Sequence, residues 1–127
     1  MSDKEKSCAC EGGVTLIFPC SGAADVGEIS DRAARSMSAR GHGKMFCLAG
    51  IGGNISGMIA SAKGADRVLV IDGCDLDCAK KTMQERELHD FLHFRVTDLG
   101  IEKSKSPATP EHIDTVVEKG RELLFNK

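Results

Sequence analysis

The sequence predicts an α/β fold: a parallel sheet of roughly four strands with helices on both faces, in a Rossmann-like three-layer arrangement. Three observations carry this. The runs VTLIFP (14–19), KMFCLAG (44–50) and RVLVIDG (67–73) are apolar, of strand length and without polar alternation, as expected of strands buried on both faces. Segments with apolar residues at helical spacing alternate with them. The connections are short, which favours a βα order with right-handed crossovers.

Each element has its own signals. Residues 1–13 are polar, end in Gly12-Gly13 and read as a flexible N-terminal arm, leaving 14–127 as a single domain. After strand 14–19, Asp25 is placed to N-cap a helix and Glu28 to complete a capping box. Val26, Ile29, Ala33 and Met37 form its apolar stripe and Gly41 its stop. After strand 44–50, Asn54 is expected to cap a helix carrying Ile55, Met58, Ile59 and Ala62 inward, closed by Gly64. After strand 67–73, Asp75 is expected to cap a helix with Leu76, Ala79 and Met83 inward. FLHFRVTDLG (91–100) reads as a fourth, more polar strand nearer an edge. Thr109-Pro110 then opens a last helix, with Pro at the first helical position.

Composition excludes several classes of function. The 127 residues suffice for one domain with a real core. Net charge is −2 with basic residues scattered among the acids, and there is no Trp or Tyr to stack on bases, so no nucleic-acid partner is expected. No apolar stretch reaches membrane-spanning length, and MSDKEKSCACEGG lacks the apolar core of a signal peptide. A cytoplasmic protein without membrane attachment is the expectation. Protein partners are not indicated.

Six cysteines are many for a reducing compartment, where disulfide frameworks are disfavoured and metal or thiol chemistry is favoured in proportion. Cys20, Cys47 and Cys74 each lie at or after a strand end, 27 residues apart. In a parallel sheet strand C-termini share one rim, so these thiols can converge there. Cys78 stands one helical turn from Cys74. Four thiolates would suit a tetrahedral sulfur site, most simply zinc at a Zn–S distance of about 2.3 Å. The alternatives stay open at this point: Cys47 within MFCLAG could be core, and IDGCDLDCAK a reactive thiol pair or simply a capped helix.

IDGC (71–74) resembles the signature of DGC-domain proteins, and the likeness extends through IFPCSGAADVGEISDRAAR, KMFCLAGIGG, VLVIDGCDLDCAKKT and RVTDLG. The resemblance implies zinc binding through four chelating cysteines, which match Cys20, Cys47, Cys74 and Cys78, with one Zn2+ per chain. It implies no particular reaction.

Other candidates are weaker. Cys8-x-Cys10 is a dithiol on the arm that could exchange metal with the rim. AGIGGNISG (49–57) has glycines, Gly50, Gly52 and Gly53, that would let backbone N–H groups approach a small anionic ligand, a structural turn being the alternative. Asp72 and Asp98 close strands and could act as general base or support metal ligands. The four histidines show no ligand spacing. The leading reading is a zinc-binding protein that handles metal or organises a ligand site around it. A zinc- or thiol-dependent enzyme acting on a small anionic substrate is one alternative, a thiol redox sensor another.

Overall fold

A computed structural model describes residues 13–125, so Cys8 and Cys10, and the arm expected to carry them, lie outside the described residues. Four parallel strands form one sheet in the order β2-β1-β3-β4, where β1 is Thr15–Pro19, β2 Lys44–Met45, β3 Arg67–Asp72 and β4 Leu92–Arg95. Strand β1 pairs with β3 from Thr15↔Arg67 to Pro19↔Ile71, and β3 with β4 from Leu69↔Leu92 to Asp72↔Arg95. The apolar runs form buried strands because each side chain finds a helical layer on its own side of the pleat. Ile17, Leu69, Ile71 and Phe94 pack on one face beneath α1 (Asp25–Ala39) and α5 (Pro110–Phe125). Leu16, Phe18, Val68 and Val70 pack on the other, beneath α2 (Leu48–Gly52), α3 (Ser56–Gly64) and α4 (Cys78–Glu85). The expected three-layer arrangement is therefore present.

Several boundaries differ from the sequence expectation, each for a local reason. The second strand is two residues long rather than seven. Its last ladder bond runs from the Phe46 N–H to the Ile17 carbonyl (2.8 Å), after which Cys47 becomes the N-cap of α2. Ala49 and Gly50 lack the bulk that favours a strand, and the space beside Gly50 belongs to Met58, whose Sδ would lie 1.9 Å from a Cβ there. Asn54 does not cap α3: it turns left-handed (φ 63°) just past α2, and Ile55 precedes the helix. Asp25 is the first residue of α1, not its cap, and Glu28 pairs with Arg32 at 3.0 Å rather than closing a capping box. Asp75 is exposed, and α4 begins only at Cys78. Leu76 is likewise exposed (55 %) rather than inward. The fourth strand stops at Arg95, because the Asp98 carboxylate accepts the Arg95 N–H (3.1 Å) and starts a 3-10 turn over Val96–Leu99. The last helix opens as expected, with Thr109 Oγ1 accepting the His112 N–H at 3.2 Å beside Pro110.

Candidate thiol site

From β1 the chain runs outward to β2, then crosses back to β3 on the other side. The C-terminal ends of β1 and β3 are therefore where connections diverge, and open α/β sheets leave their binding crevice at such a point. Cys20 follows β1 and Gly73-Cys74 follows β3. A cavity of about 180 Å³ lies there, lined by Cys20, Cys74, Cys78, Asp72, Asp77 and Lys103 among others. Cys47 lines a neighbouring cleft of about 480 Å³, and Cys20 belongs to both. Cys20 and Cys74 are half-buried, Cys47 and Cys78 exposed. The three strand-end thiols thus share one rim, but three of the four thiols share one cavity and Cys47 stands in the next.

Backbone geometry brings the thiols to this place. The Cys20 N–H donates to the Ile71 carbonyl (2.9 Å) and to Ser30 Oγ (3.2 Å), and the buried Ser30 hydroxyl donates to the same carbonyl at 3.1 Å. Gly73 sits where β3 meets the first turn of α1. A Cβ there would lie 2.9 Å from the Val26 carbonyl carbon and 3.0 Å from the Gly27 nitrogen, so only glycine lets Cys74 approach the end of α1. Ser21 and Asp77, the neighbours of Cys20 and Cys78, both hold left-handed backbone, with φ of 52° and 55°. Such strain persists only where surrounding contacts impose it, and it gathers at functional sites. Ser21 is held by its hydroxyl donating to Asp31 at 2.8 Å. Asp77 is held by Arg95, which donates twice to its carboxylate, at 2.8 Å each time.

Asp72 performs the capping expected of Asp75, from the end of β3. Its two carboxylate oxygens accept the Ala79 N–H (2.7 Å) and the Lys80 N–H (3.0 Å) in the first turn of α4. It is 1 % exposed, and His93 Nε2 lies 2.9 Å from Oδ2 and 3.6 Å from Asp77 Oδ1. Asp72, Asp77 and His93 are the one trio of candidate ligand groups, among the described residues, whose atoms all lie within 4.8 Å of one another. Both carboxylates are already engaged, Asp72 by backbone N–H groups and His93 and Asp77 by Arg95. The trio therefore latches α4 to β3 and β4, and so fixes Cys78. Sequence reading singled out Asp72 but not His93 or Arg95. The available signal was their i, i+2 spacing on one face of β4, opposite Val70 and Asp72 in register.

No three thiols meet the 4.8 Å spacing among the described residues. Cysteine thiolate is an ordinary ligand of structural zinc, so the donor type suits that ion, while the thiols as placed are spread more widely than three ligands of one ion at about 2.3 Å would be. Lys103 Nζ is 3.5 Å from Cys74 Sγ, in position to donate to a thiolate. The loop bearing Lys103 is tied down by Asp25, whose carboxylate accepts the Ser104 N–H (2.9 Å) and the Ser106 N–H (3.0 Å). The Ser104 bond, with the Ser106 bond behind it, holds the Asp25 carboxyl below its ordinary value of 3.8. Gly52 and Gly53 flank the end of the five-residue α2, and Arg86 donates to the Ile51 (3.1 Å) and Gly52 (2.8 Å) carbonyls. Gly50 lies against Met58 of α3, whereas Gly52 and Gly53 are exposed at the end of α2.

The Asp77 carboxyl is held below its ordinary value of 3.8, first by the hydrogen bonds from Arg95. A depressed carboxylate stabilises the fold fully above its unfolded value of about 4 and loses that contribution as pH falls through the lowered folded value. Between about pH 6 and pH 3, wild type is expected to lose more stability than an Arg95→Met variant, which lacks the lowering partner. Urea denaturation at the two pH values measures this, and equal losses would remove Arg95–Asp77 as an acid-sensitive tie.

The sequence model of the DGC domain matches residues 16–120. Anaerobic and virulence modulator AnvM of Pseudomonas aeruginosa is 28 % identical over 88 residues, covering 69 % of this chain and 67 % of the relative. No solved structure matches. No helix among the described residues is long and apolar enough to cross a membrane.

Proposed function

This chain belongs to the DGC-domain family, and from that premise we propose that it binds one zinc ion through Cys20, Cys47, Cys74 and Cys78 and serves in metal handling in the reducing cytoplasm. The observation that carries the reading is the placement of Cys20, Cys74 and Cys78 on one cavity at the point where the strand connections diverge, with Cys47 beside it. Zinc binds cysteine as thiolate, so uptake there would release the thiol protons. Bound there, zinc would supply a positive centre that ties the loops after β1, β2 and β3 together. The chain's own residues do the remaining work: Asp72 fixes α4 and with it Cys78, Gly73 lets Cys74 reach the cavity, and Lys103 offsets thiolate charge.

Native mass spectrometry of protein purified without added metal is expected to show about one zinc per chain, as a closed four-ligand site would hold. A Cys74→Ser variant is expected to lose it. Wild type that carries no zinc and takes none up in reduced form would sink the proposal. A stable disulfide found by thiol titration in that case would support the redox-sensor reading. An enzyme using the cavity for a small anionic substrate is favoured by one observation, the Lys103 ammonium beside Cys74.

A further inference from the structure

Among the described residues, one hydrogen bond runs to a cysteine sulfur: Lys103 Nζ stands 3.5 Å from Cys74 Sγ. Both partners are held to the first turn of α1. Asp25 accepts the N–H groups of Ser104 (2.9 Å) and Ser106 (3.0 Å), and Ser104 takes left-handed backbone (φ 73°) beside Lys103. Gly73 packs on Val26 and Gly27 and so fixes Cys74 from the other side. Cys74 and Lys103 both line the 180 Å³ cavity, and Lys103 is the one cationic side chain in its lining. The two carboxylates there are turned to other partners: Asp72 caps α4, and Asp77 receives both bonds of Arg95. A nucleophilic sulfur thus shares a small cavity with a positioned positive charge.

We propose that Cys74 of the metal-free chain is a nucleophile toward small disulfides that carry negative charge, and that Lys103 selects them. The inference rests on the reading of this cavity as a site for a small anionic substrate, and it names the nucleophile and the selecting charge. A volume of 180 Å³ equals that of about six liquid waters, so only a small molecule fits. The Cys74 thiolate sulfur bonds to one sulfur of the disulfide while the S–S bond breaks. The departing thiolate keeps the electron pair and takes up a proton from water. Cys74 is oxidised to the mixed disulfide and the departing thiol is reduced, so the disulfide itself is the oxidant. A carboxylate on that molecule meets the Lys103 ammonium beside the attacking sulfur, whereas a cationic disulfide is repelled there.

The test uses the full chain, reduced and stripped of metal by a chelator, with circular dichroism to check that each variant is folded. It is reacted with dithiodipropionate, which is dianionic, or with cystamine, which is dicationic. Loss of the free Cys74 thiol is followed by residue-resolved mass spectrometry after an acid quench. The ratio of the two rates is divided by the same ratio for the chain unfolded in urea, which removes the intrinsic difference between the reagents. The corrected ratio is expected to favour the anion by at least about fivefold, the effect of one unit charge at about 4 Å in water. It is expected to fall to near unity in Lys103→Ala and to stay close to wild type in Lys105→Ala, an exposed lysine two residues further on. A ratio near unity for every cavity thiol of folded wild type would remove both the anionic-substrate reading and this inference. A preference for the anion that survives Lys103→Ala, or that falls on Cys20 or Cys78 instead, would leave that reading standing and overturn the roles given to Cys74 and Lys103.

Discussion

Replacing Asp72 with alanine is expected to destabilise the protein by about 3–5 kcal/mol, the range for removing one partner of a buried charged network. The carboxylate is 1 % exposed and accepts two N–H groups of α4 while facing His93. Alanine leaves those donors unpaired in a buried setting, where each lost partner costs on the order of 1–3 kcal/mol. Against a domain stability of about 5–15 kcal/mol, the loss is a large share of the whole. Asp72→Asn keeps one oxygen acceptor and is expected to fall between wild type and alanine. Urea denaturation of the three proteins measures the series. A loss below about 1 kcal/mol for alanine, within the range of ordinary surface changes, would mean that Asp72 does not anchor α4.

The second large effect concerns the metal. A ligand that binds only the folded state stabilises it by about 4 kcal/mol when its free concentration is a thousandfold above Kd. For a chain of this size that corresponds to a rise in Tm of roughly 15 °C. Zinc buffered to that concentration is therefore expected to raise the melting temperature of reduced wild type, while Cys20→Ser and Cys74→Ser melt at the same temperature with and without zinc. Scanning calorimetry provides the measurement, and a wild-type melt indifferent to zinc would contradict binding through these thiols. Because Gly73 and Asp72 position Cys74 and Cys78 through backbone contacts, Asp72→Ala should also reduce the zinc-dependent shift.

The fold was legible from VTLIFP and RVLVIDG because a strand buried on both faces must be apolar at successive positions. The last helix was legible from Thr109-Pro110, whose side chain and fixed φ are local signals. The errors fell where a local signal had competitors. KMFCLAG has a strand's hydropathy, yet its Ala and Gly suit a helix start packed under Met58. Asp75 has the chemistry of a cap, but Asp72 reaches the same N–H groups from the preceding strand. Asp25, read as a cap, instead binds a loop 79 residues further along the chain.

The sequence by itself determined that three thiols end successive strands and so occupy one rim, since parallel strands connected by helices have no other arrangement. It also determined which residue types could bind a soft metal there. Only the tertiary structure decided how the thiols divide between two adjoining cavities, because strand order β2-β1-β3-β4 places β2 on the far side of β1 from β3. Only the tertiary structure paired Arg95 with Asp77 and His93 with Asp72, since these contacts join elements 18 and 21 residues apart across the sheet edge. Local chemistry is written in neighbouring residues, whereas the order of strands and the meeting of their side chains depend on how all the helical layers pack at once.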